Sequence, residues 1–487
     1  MQPIKYKNYI DGEYVESLSG EQFLDINPAN INDVLGSFQS STREDAKKAI
    51  SAALEAQEKW AETPPGERGR ILIKASEILD SMKEDLITIL TREEGKTLND
   101  SRVEVNRAVS LFRFYGVLAS RIHGESLQSS ELRTHLITVK EPVGVVSVIT
   151  PWNFPIAIPS WKIAPALACG NTVVFKPASY TPLIGYMLVE ALVKAGIPKG
   201  VINYVTGSGS TVGLEMITNK NVDAITFTGS LEVGEEIRRQ SALAGKNIRI
   251  QLELGGKNPA IILPDANIDK AVEMVARGAF GLTGQVCTAT SRAIVLDKVA
   301  EEFTRKIVEK AKKLRVGNGL REGVDLGPVV GQRELDKVLS YIEIGMREGA
   351  KLLTGGRRLT GGEYDTGYFV EPTVFADVTP DMRIAKEEIF GPVLAIMVAS
   401  SLDEAIEIAN SVDYGLAASI FTNSLDKAFE FISRIKAGVV KINKPTTGIE
   451  IQVPFGGYKK SSTETFRELG EAVIEFYTKT KTIYIGY

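Results

Sequence analysis

Cysteine and histidine are almost missing from this chain, which carries two of each in 487 residues. The two thiols, Cys169 and Cys287, form no CxxC pair and no disulfide framework. His123 and His135 lie in one stretch far from Cys287, so the clustering a zinc site needs is absent and no metal site is expected. A Cys–His protease-type dyad would have to be assembled across the fold from this small stock. No apolar run approaches the roughly 20 residues that cross a bilayer. Residues 1–14 lack the apolar stretch of a signal peptide. An excess of one charge is missing too. Lys plus Arg number 57 and Asp plus Glu 61, a net charge of −4, with no basic stripe for nucleic acid and no acidic tail. These absences predict a soluble, cytoplasmic protein with neither a nucleic-acid nor a membrane partner. Scarce Cys and His beside plentiful Lys and Glu fit a heat-adapted, thermophile source.

What is present is a long alternation of helical and strand signals, in a chain ample for two full cores. Residues 45–122 read as mostly helical, with Ala46, Ala49, Ile50, Ala53 and Trp60 on one apolar face. Short apolar runs at 143–149, 172–175, 201–205 and 224–227 read as buried strands, with helices at 182–195, 211–219 and 231–243. A second series follows. Strands are expected at 259–263, 293–296, 394–398, 417–421 and 439–442, and helices at 268–280, 299–314, 332–348, 402–410 and 425–435. The pattern is that of α/β domains with parallel sheets, changing domain near Gly255-Gly256. Residues 127–140 and 480–485 alternate in part and read as exposed strands that need a partner.

The chemistry-bearing segments sit at strand ends. Cys287 lies in Gly284-Gln285-Val286-Cys287-Thr288-Ala289, among small and polar residues that give access to the sulfur and free backbone N–H groups to face it. A packed small hydrophobe is the ordinary alternative for a lone cysteine. Thr150-Pro151-Trp152-Asn153-Phe154-Pro155 follows a buried strand, and Asn153 offers an amide for an oxyanion or, equally, a turn cap. Lys176-Pro177-Ala178-Ser179 ends the next strand, where a lysine can bond a ribose or a phosphate or stay solvated. Gly207-Ser208-Gly209-Ser210-Thr211-Val212-Gly213 has GxGxxxG spacing and departs from the GxGxxG dinucleotide fingerprint. Phe227-Thr228-Gly229-Ser230 opens a helix whose N–H groups suit a pyrophosphate. Glu253 in Leu252-Glu253-Leu254-Gly255-Gly256-Lys257 is a buried carboxylate suited to general-base work, or a paired structural acid. Lys386-Glu387-Glu388-Ile389-Phe390-Gly391-Pro392 yields no chemistry by itself.

Taken together and in this order, these segments resemble the aldehyde dehydrogenase superfamily, from Tyr9-Ile10-Asp11-Gly12 to Pro454-Phe455-Gly456-Gly457-Tyr458-Lys459. The surroundings of Phe114-Tyr115-Gly116 and Asn443-Lys444-Pro445-Thr446 are most similar to the archaeal 2,5-dioxopentanoate (α-ketoglutarate semialdehyde) dehydrogenases. The resemblance implies an α/β fold of two open α/β domains plus a small β oligomerisation arm. Residues 1–123 with 143–254 would bind the dinucleotide, 255–453 would be catalytic, and 124–142 with 471–487 would form the arm of a dimer or tetramer. It implies Cys287 as nucleophile, Asn153 and the Cys287 N–H as oxyanion donors, and Glu253 as activator of the hydrolytic water. Lys162 and Glu468 would relay protons. Lys176 and Glu388 would hold ribose hydroxyls, Phe390 would line the nicotinamide, and Ser230 would cap the pyrophosphate. Thr150, Pro151, Trp152, Ser179, Gly209, Gly213, Phe227, Gly229, Val233 and Leu254 complete the implied cofactor crevice.

Two departures from the family pattern set further expectations. Ser179 stands where many NAD-preferring members carry a glutamate that repels a 2′-phosphate, so NADP is expected as the preferred cofactor, with NAD also accepted. Gly281 and Trp161 stand where some semialdehyde dehydrogenases carry arginines for the substrate carboxylate. Arg113 or Lys444 are then the candidate cations for an acid-aldehyde, and uncharged aldehydes, glyceraldehyde and its 3-phosphate stay open as substrates. Glu253 disfavours a CoA-acylating reaction, since a base for water favours hydrolysis. A non-catalytic binding or structural protein on the same fold is the alternative of another class, disfavoured by the intact set Cys287, Asn153, Glu253 and Glu388.

Overall fold

The strand signals assemble into two seven-stranded sheets in the computed structural model, which describes residues 3–245 and 248–487. The helical region divides into Arg43–Glu62, Pro65–Ser81, Lys83–Glu94 and Leu98–Leu118. Local chemistry sets the breaks. Pro64 and Pro65 end one helix and start the next, and Gly95 takes a φ of 95° at a helix end. Thr42 and Thr97 cap the first and last helices by accepting from the Asp45 and Asp100 N–H groups.

The first sheet has the order Arg249–Glu253, Ala224–Thr228, Val145–Ile149, Thr172–Lys176, Ile202–Tyr204, Asn8–Ile10, Glu13–Val15. The first five strands are parallel, and the last two add antiparallel at one edge. From Val145–Ile149 the chain builds outward through Thr172–Lys176 to Ile202–Tyr204. It then crosses back to Ala224–Thr228 on the other side. That reversal opens a crevice at the carboxyl ends of Val145–Ile149 and Ala224–Thr228, where open parallel sheets bind ligands. The inner strands are buried throughout, as sheets covered on both faces require.

The second sheet runs Lys351–Thr354, Thr373–Ala376, Val393–Ala399, Thr290–Leu296, Asn258–Ile262, Ala417–Phe421, Val439–Ile442, with only the first strand antiparallel. A separate three-stranded sheet pairs Thr478–Gly486 with Thr134–Pro142 in antiparallel register and adds Ser126–Leu127. No helix among the described residues is long and apolar enough to cross a membrane.

One expected helix is modified locally, and several short or buried elements went unread. The helix over 211–219 is a π turn, Gly209–Gly213, running into a short helix, Leu214–Thr218. The edge strands Asn8–Ile10 and Glu13–Val15 are three residues each, too short to display alternation. The helix Ala157–Ala168 went unread because all 12 of its residues are buried, which erases the polar face that reveals a helical period.

Residues 454–470 tie the end of the first sheet to the short strand Tyr414–Gly415, which pairs with Tyr458–Lys459 of the strap itself. Leu254 N–H donates to the Ser461 carbonyl at 2.8 Å and Thr463 N–H to the Leu252 carbonyl at 3.2 Å. Gly415 N–H donates to the Ser461 hydroxyl at 3.0 Å. This strap carries Glu468 to the end of the first sheet.

Candidate active site

The Cys287 loop is a strained turn between helix Ile268–Phe280 and strand Thr290–Leu296. Leu282 and Thr283 hold φ values of 50° and 55°, and Gly284 follows at 70°. A Cβ on Gly284 would collide with the Gly391 carbonyl, so a side chain is excluded there. Val286 and Thr288 are buried while Cys287 between them is partly exposed. The Asn258 amide donates to the carbonyls of Cys287 and Ala289, each at 2.9 Å, and accepts from the Ala417 N–H at 3.0 Å. Burial pushes the Cys287 thiol up, the Glu388 and Glu253 carboxylates push it the same way, and the Thr288 N–H opposes them.

Asn153 meets this loop from the first sheet. Its side-chain amide donates to the Gln285 carbonyl at 2.9 Å, and Gln285 in turn accepts from the Val330 N–H at 3.0 Å. The Asn153 backbone is held as well. Lys96 Nζ donates to its carbonyl and to Glu104, both at 2.6 Å. The other Glu104 oxygen accepts from Ile156 and Ala157 N–H at 3.0 and 3.1 Å, at the start of helix Ala157–Ala168. Neither Lys96 nor Glu104 was picked out from the sequence, since no local spacing marks a buried pair that meets only in space.

Glu253 ends strand Arg249–Glu253, buried, with both carboxylate oxygens unpartnered. Burial raises its pKa well above the usual carboxylate value, and Glu468 raises it further against the pull of Lys162 and Arg467. Gly456 packs against it so closely that a Cβ there would stand 2.8 Å from Glu253 Oε1. Lys162 and Glu468 form a buried ion pair beside it. Lys162 also donates to the Thr226 hydroxyl at 2.8 Å, and Thr226 donates to Gln251 at 2.9 Å.

The crevice between Val145–Ile149 and Ala224–Thr228 collects the other named residues. The hydroxyls of Thr150 and Thr228 at its mouth are buried without a hydrogen-bond partner, as expected of groups awaiting a ligand. Lys176 donates to the Pro177 carbonyl at 3.0 Å, and burial pushes its amine down to about 8. Ser179 is exposed beside it. Ser230 caps helix Leu231–Leu243 by accepting from the exposed Val233. Phe227 lies against Gly229, where a Cβ would meet its ring, and Leu254 lies against Gly234. Glu388 accepts from Gly256 N–H at 3.0 Å and lies over Gly255. Phe390, at a φ of 61°, sets its ring 5.4 Å from Trp152, next to Pro151. Gly209 and Gly213 have open space where a Cβ would go, and only Gly207, at a φ of 144°, needs to be glycine.

Arg113 is exposed on helix Leu98–Leu118 and Lys444 is exposed on its loop, and neither forms an ion pair among the described residues. Among the described residues, no group of three or more His, Cys, Asp and Glu side chains is arranged to hold a metal ion.

Known proteins are similar to this chain in sequence and in fold. The aldehyde dehydrogenase family matches residues 14–483. The chain is 50% identical over 469 residues to the 2,5-dioxopentanoate dehydrogenase of Saccharolobus solfataricus, covering 96% of this chain and 97% of that protein. It is 50% identical over 481 residues to the alpha-ketoglutarate semialdehyde dehydrogenase of Haloferax volcanii, covering 99% of each. Its fold superposes on betaine aldehyde dehydrogenase from Staphylococcus aureus in complex with NAD+ at a TM-score of 0.96 and 38% identity, covering 99% of this chain and 94% of that one. With family, fold and length in agreement, the chain belongs to the aldehyde dehydrogenase family and is an aldehyde dehydrogenase.

Proposed function

We propose that this aldehyde dehydrogenase oxidises 2,5-dioxopentanoate to 2-oxoglutarate, with NADP preferred over NAD. The substrate reading is supported by the 50% identity to two relatives named for this semialdehyde. The observation that carries the mechanism is the convergence of Asn153 on the Cys287 loop, at 2.9 Å from Gln285.

In this reading the Cys287 thiolate adds to the aldehyde carbon, and the carbonyl oxygen becomes an oxyanion. The second N–H of the Asn153 amide and the Cys287 backbone N–H stabilise it. A nicotinamide held in the crevice would supply the hydride acceptor needed to take the thiohemiacetal to a thioester. Glu253 then takes a proton from water, the hydroxide adds to the acyl carbon, the C–S bond breaks, and acid and thiolate are released. Lys162 and Glu468 carry the Glu253 proton onward through their buried pair. The Cys287 thiol, raised by burial, gives up its proton to the same base before attack.

The crevice fits the cofactor: the orphaned Thr150 and Thr228 hydroxyls suit its polar groups, and the N-terminus of helix Leu231–Leu243 suits a pyrophosphate. Lys176 and Glu388 would hold ribose hydroxyls. Ser179, exposed and uncharged, leaves room for a 2′-phosphate that a carboxylate would repel. We assign residues 1–123 with 143–254 to cofactor binding and 255–453 to catalysis. Residues 124–142 with 471–487 would be an oligomerisation arm, since strand Thr478–Gly486 pairs on one edge only and exposes Tyr484 and Ile485. A cytoplasmic homo-oligomer follows from this reading.

The test is steady-state oxidation of 2,5-dioxopentanoate, glyceraldehyde, glyceraldehyde 3-phosphate and simple alkanals, each with NADP and with NAD. A kcat/KM for the dioxo acid at least about tenfold above the others, about 1.4 kcal/mol, is expected. Equal turnover of an uncharged aldehyde would reduce the substrate assignment to a broad aldehyde dehydrogenase.

A further inference from the structure

Two cations that the sequence reading passed over lie on one short loop. Arg107, on helix Leu98–Leu118, donates Nη2 to the Ile449 carbonyl at 2.7 Å. Lys441, at the end of strand Val439–Ile442, donates to the Thr447 carbonyl at 2.5 Å and to the Gly448 carbonyl. Both are partly buried, and neither forms an ion pair among the described residues. Lys444 and Arg107 lie close enough to Lys441 to reinforce the effect of burial, which brings its amine down to about 8. The acids within reach are few. Glu104 is neutralised by Lys96 and two backbone N–H groups, which leaves the exposed Glu450 as the free carboxylate felt by both cations. Positive charge is therefore in excess around residues 447–449.

The opposite end of the same loop is fastened to the nucleophile. Thr446 donates its hydroxyl to the carbonyl of Thr288, the residue after Cys287, at 2.6 Å, and pairs with the Thr290 hydroxyl at 2.7 Å. From Thr446 to Ile449 the chain can span at most about 10 Å. A five-carbon acid-aldehyde extends about 5 Å from carboxylate to aldehyde carbon by the same bond lengths. Adding about 3 Å for sulfur attack and about 3 Å for a hydrogen bond gives about 11 Å from the sulfur to a carboxylate donor, the same scale as that upper limit on the loop. Phe114, Phe154 and Ile449 pack with Cys287 against one apolar core and lower the local dielectric, which strengthens charge recognition.

We propose that Arg107, assisted by Lys441, binds the carboxylate of the acid-aldehyde substrate and takes the place of the arginines absent at positions 161 and 281. The proposal rests on the dioxo-acid reading of the site. Arg107 has unused N–H groups in a planar fork suited to a bidentate carboxylate. Arg113 lies six residues on, about 240° around the helix, and faces elsewhere.

The test compares wild type, Arg107→Met, Arg107→Lys and Lys441→Met with NADP, using 2,5-dioxopentanoate and the uncharged pentanal. Glutarate serves as a competitive probe against pentanal. Arg107→Met should lower kcat/KM for the dioxo acid about 50-fold, mainly through KM, and leave pentanal within about threefold. Arg107→Lys should recover part of the loss, Lys441→Met should lose about fivefold, and glutarate inhibition should weaken in parallel. Equal losses on both aldehydes would mean that Arg107 only supports the Ile449 carbonyl, and would overturn the proposal. So would undiminished glutarate inhibition in Arg107→Met. If wild type shows no preference for the dioxo acid while glutarate inhibition still depends on Arg107, the anion site stands and the substrate assignment falls.

Discussion

The side-chain amide of Asn153 is hydrogen-bonded to the carbonyl of Gln285, two residues before Cys287, at 2.9 Å. This bond spans the two large sheets and joins the loop after strand Val145–Ile149 to the nucleophile loop. One amide hydrogen is spent on the tether, and the other is left for the substrate oxygen. Replacing Asn153 by Ala should therefore lower kcat by about 10²–10³, as loss of a single oxyanion donor does elsewhere, with KM little changed. Steady-state kinetics of a variant with wild-type Tm would check this, and a loss under about fivefold would remove Asn153 from the reaction.

Glu253 serves both halves of the reaction, as the base for the Cys287 thiol and for the hydrolytic water. Glu253→Gln should therefore weaken the first-turnover burst of NADPH and lose about 10²–10⁴ in steady-state turnover. The base works ionised, and burial with Glu468 raises its pKa, so its active fraction grows with pH above the usual carboxylate range. Hydrolysis of the acyl-enzyme should accelerate as pH rises and slow as pH falls. A rapid-quench profile that is flat between about pH 5 and 8 would contradict the assignment.

Ser179 is exposed next to the buried amine of Lys176. Introducing a carboxylate with Ser179→Glu should cut kcat/KM for NADP by at least about tenfold through like-charge repulsion and leave NAD within a few-fold. Cofactor titrations at fixed aldehyde measure the ratio. An unchanged ratio would mean that the 2′-phosphate sits elsewhere.

Far from the site, Asp25 and Glu93 are buried side by side. Glu93 accepts from Leu183 and Ile184 N–H and shares a side-chain hydrogen bond with Asp25, whose oxygens have no other partner. Burial pushes Asp25 up to about 7, and Glu93 is raised well above its usual value. A raised folded-state pKa favours the protonated form, so the stabilisation is complete below the unfolded value near 3.8 and disappears as pH rises through about 7. Asp25→Asn should stabilise the protein on the order of 2 kcal/mol at pH 8 and much less at pH 5. Urea midpoints at the two pH values test the sign, and an equal effect at both would refute it.

Much of this protein is legible in local spacing. The strands Thr172–Lys176 and Ala224–Thr228 were readable because short β-branched runs end at Pro or Gly, and Glu253 stood out as an acid in an apolar strand before two glycines. The helix Ala157–Ala168 was not readable, since a helix buried on every face has no period. Lys162 and Glu468 could be named from the family resemblance, but their pairing crosses 306 residues and no spacing encodes it. Lys96, Glu104, Arg107 and Lys441 were missed for the same reason. A lysine or arginine in a helix or loop reads as solvated until its neighbours are known.

The sequence by itself determined the family, the alternation that builds two open sheets, and the identity of the reactive side chains at their strand ends. Only the tertiary structure decided what those side chains meet. It tethered Asn153 to the Cys287 loop, buried Glu253 beside the Lys162–Glu468 pair, and turned Arg107 rather than Arg113 toward the loop fastened beside the nucleophile. Backbone preference and hydrophobic period act over a few residues, so a linear chain carries them openly. Charge strength, desolvation and hydrogen-bond partnership depend on which groups from distant parts of the chain pack within a few ångströms, and that is settled only when the core closes.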